Sequence, residues 1–337
     1  MFHAAFENLS SILNNYCNRN QKDKYYSLIE TSVYQAEVHN PWFIERFVKV
    51  ILSHIAEMTK KESIEKLIDD FKPSQKPKKV LVIAAGNIPM VSFHDVMCVL
   101  LSGHYLVFKP SSKDKVLMKT IFNILSDIDV TIKERVFIQD DVISSNEIDA
   151  VIATGTNYTA AYIHQYFSKY PRIVRNNRTS LAIINNTTTD DELKKLADDI
   201  LLYFGMGCRN VSKLFVPEDF DIQRIFKSVL DYGFFMQHHK YMNNYEYYRS
   251  IYLLNRESFL ENNFLILKET TALHAPVANL FYERYKHIED VHQFIQQHKD
   301  EIQCVVGKNF VPFGKAQFPD ILEFADGINT KEFLMSL

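Results

Sequence analysis

The feature that most limits what this chain can fold into is a series of short apolar runs without polar alternation. They occupy residues 80–84, 105–108, 135–138, 150–153 and 181–185, each short and rich in β-branched or aromatic side chains. Helical candidates at 92–101, 113–126 and 158–168 lie between them, and 190–204 follows the last. A strand with one wet face alternates polar and apolar residues, whereas a strand without alternation is covered on both faces. Helices inserted between such strands supply the cover, so the pattern predicts a mostly parallel, doubly wound α/β sheet of the nucleotide-binding kind.

What surrounds this stretch is different in kind. Residues 1–72 carry apolar side chains at spacings of three and four, as in Phe2, Phe6, Leu9 and Leu13 and again in Phe43, Phe47, Val50, Ile51 and Ile55, which predicts helices. The run FKPSQKPKK at 71–79 reads as a boundary loop. Beyond residue 190 the alternation continues with a strand at 213–216, a helix at 221–230 and a tyrosine-rich stretch at 241–252. With a net charge of −3 and a pI near 6.5, nothing favours a nucleic-acid partner. Four cysteines without CxxC or zinc-like spacing argue against a disulfide framework or a metal site. The N-terminus lacks the basic and apolar regions of a secretory leader, and no window approaches the length of a membrane span, so a cytoplasmic protein is expected.

Glycine is scarce, with 9 in 337 residues, and five of them lie from Gly86 to Gly207. There is no P-loop and no GxGxxG turn, so a dinucleotide site would have to be built without the usual glycine-rich phosphate loop. Four places remain that could carry chemistry. Gly86 and Asn87 follow the first expected strand, at the end where ligands sit in open α/β sheets, although Asn87 could equally be a turn residue. Lys109, Ser111 and Ser112 follow the second; the lysine could reach a ribose hydroxyl or phosphate, while helix capping is the plainer role for the serines. Gly155 and Thr156 form a small-residue turn before a helix, where an anion can approach free backbone N–H groups. In Phe204-Gly205-Met206-Gly207-Cys208-Arg209-Asn210, two glycines precede a cysteine and an arginine follows it, a setting that favours a thiolate and gives substrate access to it. Cys17, Cys98 and Cys304 sit among apolar residues and are expected as buried hydrophobes. The pair His238-His239 has no acidic or cysteine partner at metal spacing, and its structural role is preferred.

Taken in order, the segments GNIPMVSFHDVMCVLLSGH, FKPSSKD, ATGTNYTAAYI, RIVRNNRTSLAII, GCRNVSKLFVP and FGKAQFPDILEFADGINTKEFL resemble the acyl-CoA reductase (LuxC-type) family of the aldehyde dehydrogenase superfamily. The resemblance runs from about residue 80 to the C-terminus. It implies an aldehyde dehydrogenase-like α/β fold with a helical N-terminal segment (1–72), an NAD(P)-binding Rossmann-like domain (73–188), a catalytic domain (189–315) and a C-terminal segment (316–337). It also implies NADPH-dependent reduction of a long-chain acyl-CoA to a fatty aldehyde, with NADH as the alternative reductant, in a homo-oligomer without a metal. Cys208 would be the nucleophile, and Asn87 with the Cys208 N–H would form the oxyanion hole. Lys109 and Ser111 would hold the adenosine side of the cofactor, and Gly155 and Thr156 its pyrophosphate.

Two departures from the superfamily pattern bear on the reaction. Acid-forming relatives carry a basic glutamate in an ELGGKS-like motif, and the corresponding stretch here runs Arg175-Asn176-Asn177-Arg178-Thr179-Ser180. Hydrolysis of an acyl-enzyme needs a base to activate water and reduction does not, so the missing glutamate fits aldehyde formation. A second family glutamate, on the nicotinamide ribose, would fall near Ala272, with Glu269 as the nearest substitute. Reduction of an acyl phosphate by the same thioester chemistry, and a degenerate binding homologue without turnover, stand as the alternatives.

Overall fold

In the computed structural model, which describes residues 2–69, 71, 74–139, 147–155 and 157–337, the N-terminal helices form where the apolar spacing requires them. They are α1 (His3–Cys17), α2 (Tyr26–His39), α3 (Glu45–Met58) and α4 (Lys61–Ile68). In α1 the residues Phe6, Leu9 and Leu13 are fully buried; in α3 the inner face is Phe47, Val48, Ile51, Leu52 and Ile55, with Val50 to one side. Most of the expected boundary loop is described, but Lys72 and Pro73 lie outside the described residues.

The chain then builds a parallel sheet from β1 (Lys79–Ile83), α5 (Phe93–Leu101), β2 (Tyr105–Lys109), α6 (Leu117–Ile128), β3 (Val136–Ile138), β4 (Ala150–Thr154), α7 (Asn157–Tyr166) and β5 (Arg172–Arg175). The strand order is β3-β2-β1-β4-β5, and every pairing is parallel. Because side chains alternate across a strand, Leu81, Val107, Val151 and Ala153 meet Ile163 and Phe167 on the α7 side. Phe108 points the other way and packs edge-on against Phe122 of α6 at 5.3 Å. Helices α1 and α2 lie against α6, and Phe6 of α1 meets Phe93 of α5, so the N-terminal segment thickens this cover.

The second sheet follows, from β6 (Thr179–Ile183), α8 (Asp190–Leu201), β7 (Val211–Pro217), α9 (Gln223–Ser228), α10 (His239–Leu254), β8 (Leu260–Glu261), β9 (Ile266–Glu269), β10 (Asn279–Tyr285), α11 (Ile288–Gln297) and β11 (Ile302–Gly307). Its order is β11-β6-β7-β10-β9-β8, parallel except for the β8–β9 pair. Leu181, Ile183 and Phe215 pack under Val291 of α11, while Leu193, Leu196 and Ile200 of α8 are buried on their own helix's inner face. A capping box at Thr189 and Glu192 starts α8 at the residue expected from sequence. The chain closes with α12 (Thr330–Met335).

Two compact units result, residues Met1–Asn177 with Asp320–Leu337, and residues Arg178–Pro319. The division falls before β6, not at 188, because β6 hydrogen-bonds to β7 and β11 and to no strand of the first sheet. The C-terminal return also begins later than 316 and belongs to the first unit. There Thr330 of α12 sits in a buried cluster with Arg175 and Asp95, and Leu334 O meets His104 Nε2 at 3.0 Å.

Candidate active site

The first unit gathers three of the expected turns along one edge. Residues Ile83 and Lys109 are register partners at the ends of β1 and β2, and Ala153 pairs with Ile83 from β4. Asn87, Lys109, Ser111 and Gly155 therefore all stand at or just past the C-terminal ends of three adjacent parallel strands. Strand order reverses between β1 and β4, which is where open α/β sheets leave a crevice. Thr156 lies outside the described residues.

These turns are held closely together. A Cβ added to Gly86 would stand 2.3 Å from Ser111 Oγ and 2.9 Å from Lys113 Cβ, so the turn after β1 can approach the turn after β2 only because Gly86 has no side chain. Ser111 Oγ accepts the Lys113 N–H at 3.2 Å, the local turn role open to it from sequence. Asn87 is exposed, Lys109 half-buried. Downstream, Met90 adopts a left-handed φ of 52° and donates its N–H to Asp114 Oδ2 at 2.6 Å. Burial pushes the Asp114 carboxyl up to about 6, partly offset by that hydrogen bond. Gly155 donates its N–H to Arg175 O at 3.3 Å, and a Cβ on it would press on Thr159 of α7 at 2.9 Å.

Arg175, the first residue of the stretch matching the ELGGKS-like motif, is only 4% exposed. Its guanidinium forms a two-pronged ion pair with Asp95, one arm at 2.9 Å, and also donates to Thr330 Oγ1 at 2.9 Å. Arg175 holds Asp95 below the usual carboxylate range against the cost of burial. The position thus carries a locked cation and supplies no base.

In the second unit the cysteine turn is set by an abrupt end to α8. Helix is expected as far as residue 204, yet Leu202 leaves helical geometry and Tyr203, Phe204 and Gly205 all take left-handed φ values of 55°, 58° and 73°. Glycine adopts that geometry freely; tyrosine and phenylalanine do so at a cost of order 1 kcal/mol each. Cys208 follows, half-buried and outside any disulfide, just before β7. Its carbonyl accepts a hydrogen bond from Ser180 Oγ at 3.0 Å, and the same hydroxyl lies 3.2 Å from Cys304 Sγ. Arg209 donates Nε to Ala316 O, and Asp199 of α8 accepts the Gly314 and Ala316 N–H groups at 2.6 and 2.8 Å. The segment around residue 315 is thereby strapped to the cysteine turn.

Of the other cysteines, Cys98 is fully buried and burial drives its thiol far up, as expected of a packing residue. Cys17 and Cys304 differ from expectation in being half-buried. His238 caps α10 by accepting the Tyr241 N–H at 3.1 Å, a structural role. Tyr241, Tyr245 and Tyr252 of that helix are buried as packing.

Sequence reasoning passed over several buried polar residues. Lys213 is wholly buried, pairs with Glu283 at 2.6 Å and donates to Thr270 O and Ala272 O at 3.0 and 3.3 Å. It thus fixes the bend where the nicotinamide-side glutamate was expected. Glu269 ends β9 half-exposed, 3.9 Å from Arg284. Asn210, Asp199 and Asp114 carry no local signal beyond the nearness of Asn210 to Cys208. An open cavity of about 630 Å³ lies after the ends of β6, β7, β10 and β11, lined by Asn186, Glu218, Lys286 and Lys308 among others. Cys208 precedes β7, so the cavity and the cysteine belong to opposite edges of that sheet, and none of the expected site residues lines it.

The sequence matches the family model for acyl-CoA reductase (LuxC) over residues 22–241, well over half of the chain and inclusive of the expected nucleophile and cofactor turns. The chain belongs to the acyl-CoA reductase (LuxC) family. This LuxC-family protein is therefore an oxidoreductase of acyl or aldehyde groups. No curated protein matches it. Among solved structures it is similar to HpcC from Thermus thermophilus, at 11% identity and a TM-score of 0.65, covering 90% of this chain and 68% of that one. Aldehyde dehydrogenase 21 from Physcomitrella patens, in complex with the reaction product succinate, is similar at 11% identity and 0.62, covering 90% and 73%. AldA of P. syringae, an indole-3-acetaldehyde dehydrogenase in complex with NAD+ and IAA, is similar at 12% and 0.62, covering 91% and 72%. The LuxC-family chain has the aldehyde dehydrogenase fold. Among its described residues no helix is long and apolar enough to cross a membrane.

Proposed function

We propose that this protein reduces a fatty acyl-CoA thioester to the aldehyde through an acyl-enzyme on Cys208, with NADPH as reductant and NADH as the alternative. The observation that carries this reading is the setting of Cys208: a half-buried thiol outside any disulfide, on a turn preceded by glycines, in a chain of the LuxC family.

In this reading the Cys208 thiolate attacks the thioester carbonyl. The Cys208 N–H stabilises the oxyanion, with Asn87 as the second donor that the family resemblance implies, and the CoA thiolate departs without needing a strong acid catalyst. The C-terminal edge shared by β1, β2 and β4 suits a dinucleotide. Gly155 and Thr156 precede α7, whose first N–H groups would take a pyrophosphate, and Lys109 and Ser111 follow β1's neighbour β2 on the side proposed for a ribose or its 2′-phosphate. A nicotinamide cofactor bound there would supply the hydride that reduces the acyl group. The thiohemiacetal on Cys208 then collapses, expelling the thiolate and releasing aldehyde. Arg175, paired with Asp95, leaves no carboxylate at that position to activate water, which favours aldehyde over acid.

The test is acyl-CoA-dependent NADPH oxidation by Cys208→Ala, followed across a series of chain lengths. Loss of turnover together with loss of a labelled acyl adduct is expected, and turnover at the parent rate refutes the mechanism. Asn87→Ala is expected to lower kcat by about 10²–10³ with acylation still detectable.

A further inference from the structure

Asn210 bonds both to the cysteine turn and to the end of α8. Its backbone N–H donates to Gly207 O at 3.0 Å, and its side-chain Oδ1 accepts the Gly207 N–H at 2.8 Å. Both ends of the Gly207–Asn210 turn are thus closed by one residue, and Cys208 and Arg209 are the two residues between. On its other side Asn210 Nδ2 donates toward Asp199 O, Ile200 O and Leu202 O at 3.1, 3.2 and 2.9 Å. These are carbonyls at the C-terminal end of α8, where the helix itself provides no donors. The amide can face only one way: reversed, it would set oxygen against three carbonyls and NH₂ against an N–H. With the side chain 2% exposed, water does not substitute for either set.

We infer that Asn210 is the positioning residue of the nucleophile, an amide clamp that ties the Cys208 turn to the end of α8 across the strained Tyr203–Gly205 link. This rests on the reading of Cys208 as nucleophile. The clamp acts on the turn that carries Cys208 and its N–H, so its loss acts on acyl transfer more than on substrate binding. A displacement of about 1 Å at reacting groups costs on the order of 10² in rate.

The experiment compares Asn210→Gln and Asn210→Asp with wild type in single-turnover acylation by a labelled acyl-CoA. Circular dichroism and thermal midpoint are recorded alongside, and the acylation rate is taken per folded molecule. Asn210→Gln keeps both amide groups but misplaces them by one methylene. It is expected to acylate about 10²-fold more slowly with an acyl-CoA KM within about threefold of wild type. Asn210→Asp carries its own signature. Ionised, it sets a carboxylate against three carbonyls; protonated, it restores one donor and one acceptor in nearly the original shape. Its acylation rate relative to wild type is therefore expected to recover at least about tenfold from pH 8 to pH 6. Arg209 on the turn is present in both proteins and divides out of this ratio, whereas Asp199 on α8, raised by burial to about 7, titrates in the same window and couples to a carboxyl at 210. The ratio is therefore also taken in an Asp199→Asn background, where the recovery is expected to persist and its disappearance overturns the inference.

Should Asn210→Gln fail to fold, the pH-dependent recovery of Asn210→Asp decides alone. Acylation at the wild-type rate at pH 8 by either folded variant overturns the inference, as does an Asn210→Asp rate ratio that is flat with pH. Cys208→Ala separates the two ideas. If it still turns over, the nucleophile assignment has failed; if it is dead while a folded Asn210 variant acylates normally, only the clamp has failed.

Discussion

Asp199 gives the strongest quantitative prediction about the strap that crosses the cysteine turn. The carboxyl is fully buried, and burial raises it from an ordinary 3.8 to about 7, even though the Gly314 and Ala316 N–H groups and Arg209 all favour the ionised form and only Asp198 adds to the rise. The sign follows from comparing the two states. Between pH 5 and pH 7 the unfolded chain has released this proton and the folded protein has kept it, so stability falls as pH rises. The contribution is complete below pH 3.8 and gone above about 7. At about 1.36 kcal/mol per unit, the two units between pH 5 and pH 7 amount to about 3 kcal/mol. Asp199→Asn cannot titrate, so the stability difference between wild type and Asp199→Asn should move by about that amount, against wild type, from pH 5 to pH 8. Urea-dependent hydrogen exchange of peptides from α8 and β7, corrected for intrinsic exchange rates, reads this in the second unit without assuming that both units unfold together. A difference constant to within about 0.5 kcal/mol would show that the strap's N–H groups and Arg209 outweigh burial, and that Asp199 is ionised throughout.

Three further outcomes follow from single contacts. Gly86→Ala sets a methyl group 2.3 Å from Ser111 Oγ and against the Ser111 and Lys113 Cβ atoms, so the turns after β1 and β2 must separate; fluorescence titration with NADPH should show binding weaker by about tenfold or more, and unchanged affinity would mean that these turns do not hold the cofactor. Asp95→Ala strands the buried Arg175 guanidinium, and denaturant unfolding of the first unit should show a loss of about 3–5 kcal/mol; a loss under about 1 kcal/mol would show that the ion pair only balances its own desolvation. The Tyr241 hydroxyl is buried with no partner among the described residues, so Tyr241→Phe should leave the second unit as stable or about 1 kcal/mol more stable, and a loss above about 1 kcal/mol would reveal a partner.

The expected strands 80–84, 105–108 and 150–153 were legible because fully covered parallel strands must be apolar throughout, and β1, β2 and β4 stand at those positions. β5, β8, β9, β10 and β11 were not. Residues 172–175 mix arginine with apolar residues, and β8 has two residues, too few for any period. The end of α8 was overrun because nothing in Leu202-Tyr203-Phe204 breaks a helix by propensity; the tertiary clamp at Asn210 and the left-handed link terminate it.

The sequence by itself determined the covered parallel sheet, the family, and which small turns stand at strand ends, since these depend on local spacing and on where glycine is tolerated. The tertiary structure alone decided that β6 belongs with β7 and β11 and that the C-terminal residues return to the first unit. It also decided that Arg175 is locked by Asp95 and that Cys208 sits in a turn clamped by Asn210 and strapped through Asp199. Each of the polar contacts among these is made worthwhile only by burial. Burial is a property of where distant segments meet, so no local pattern in the chain records it.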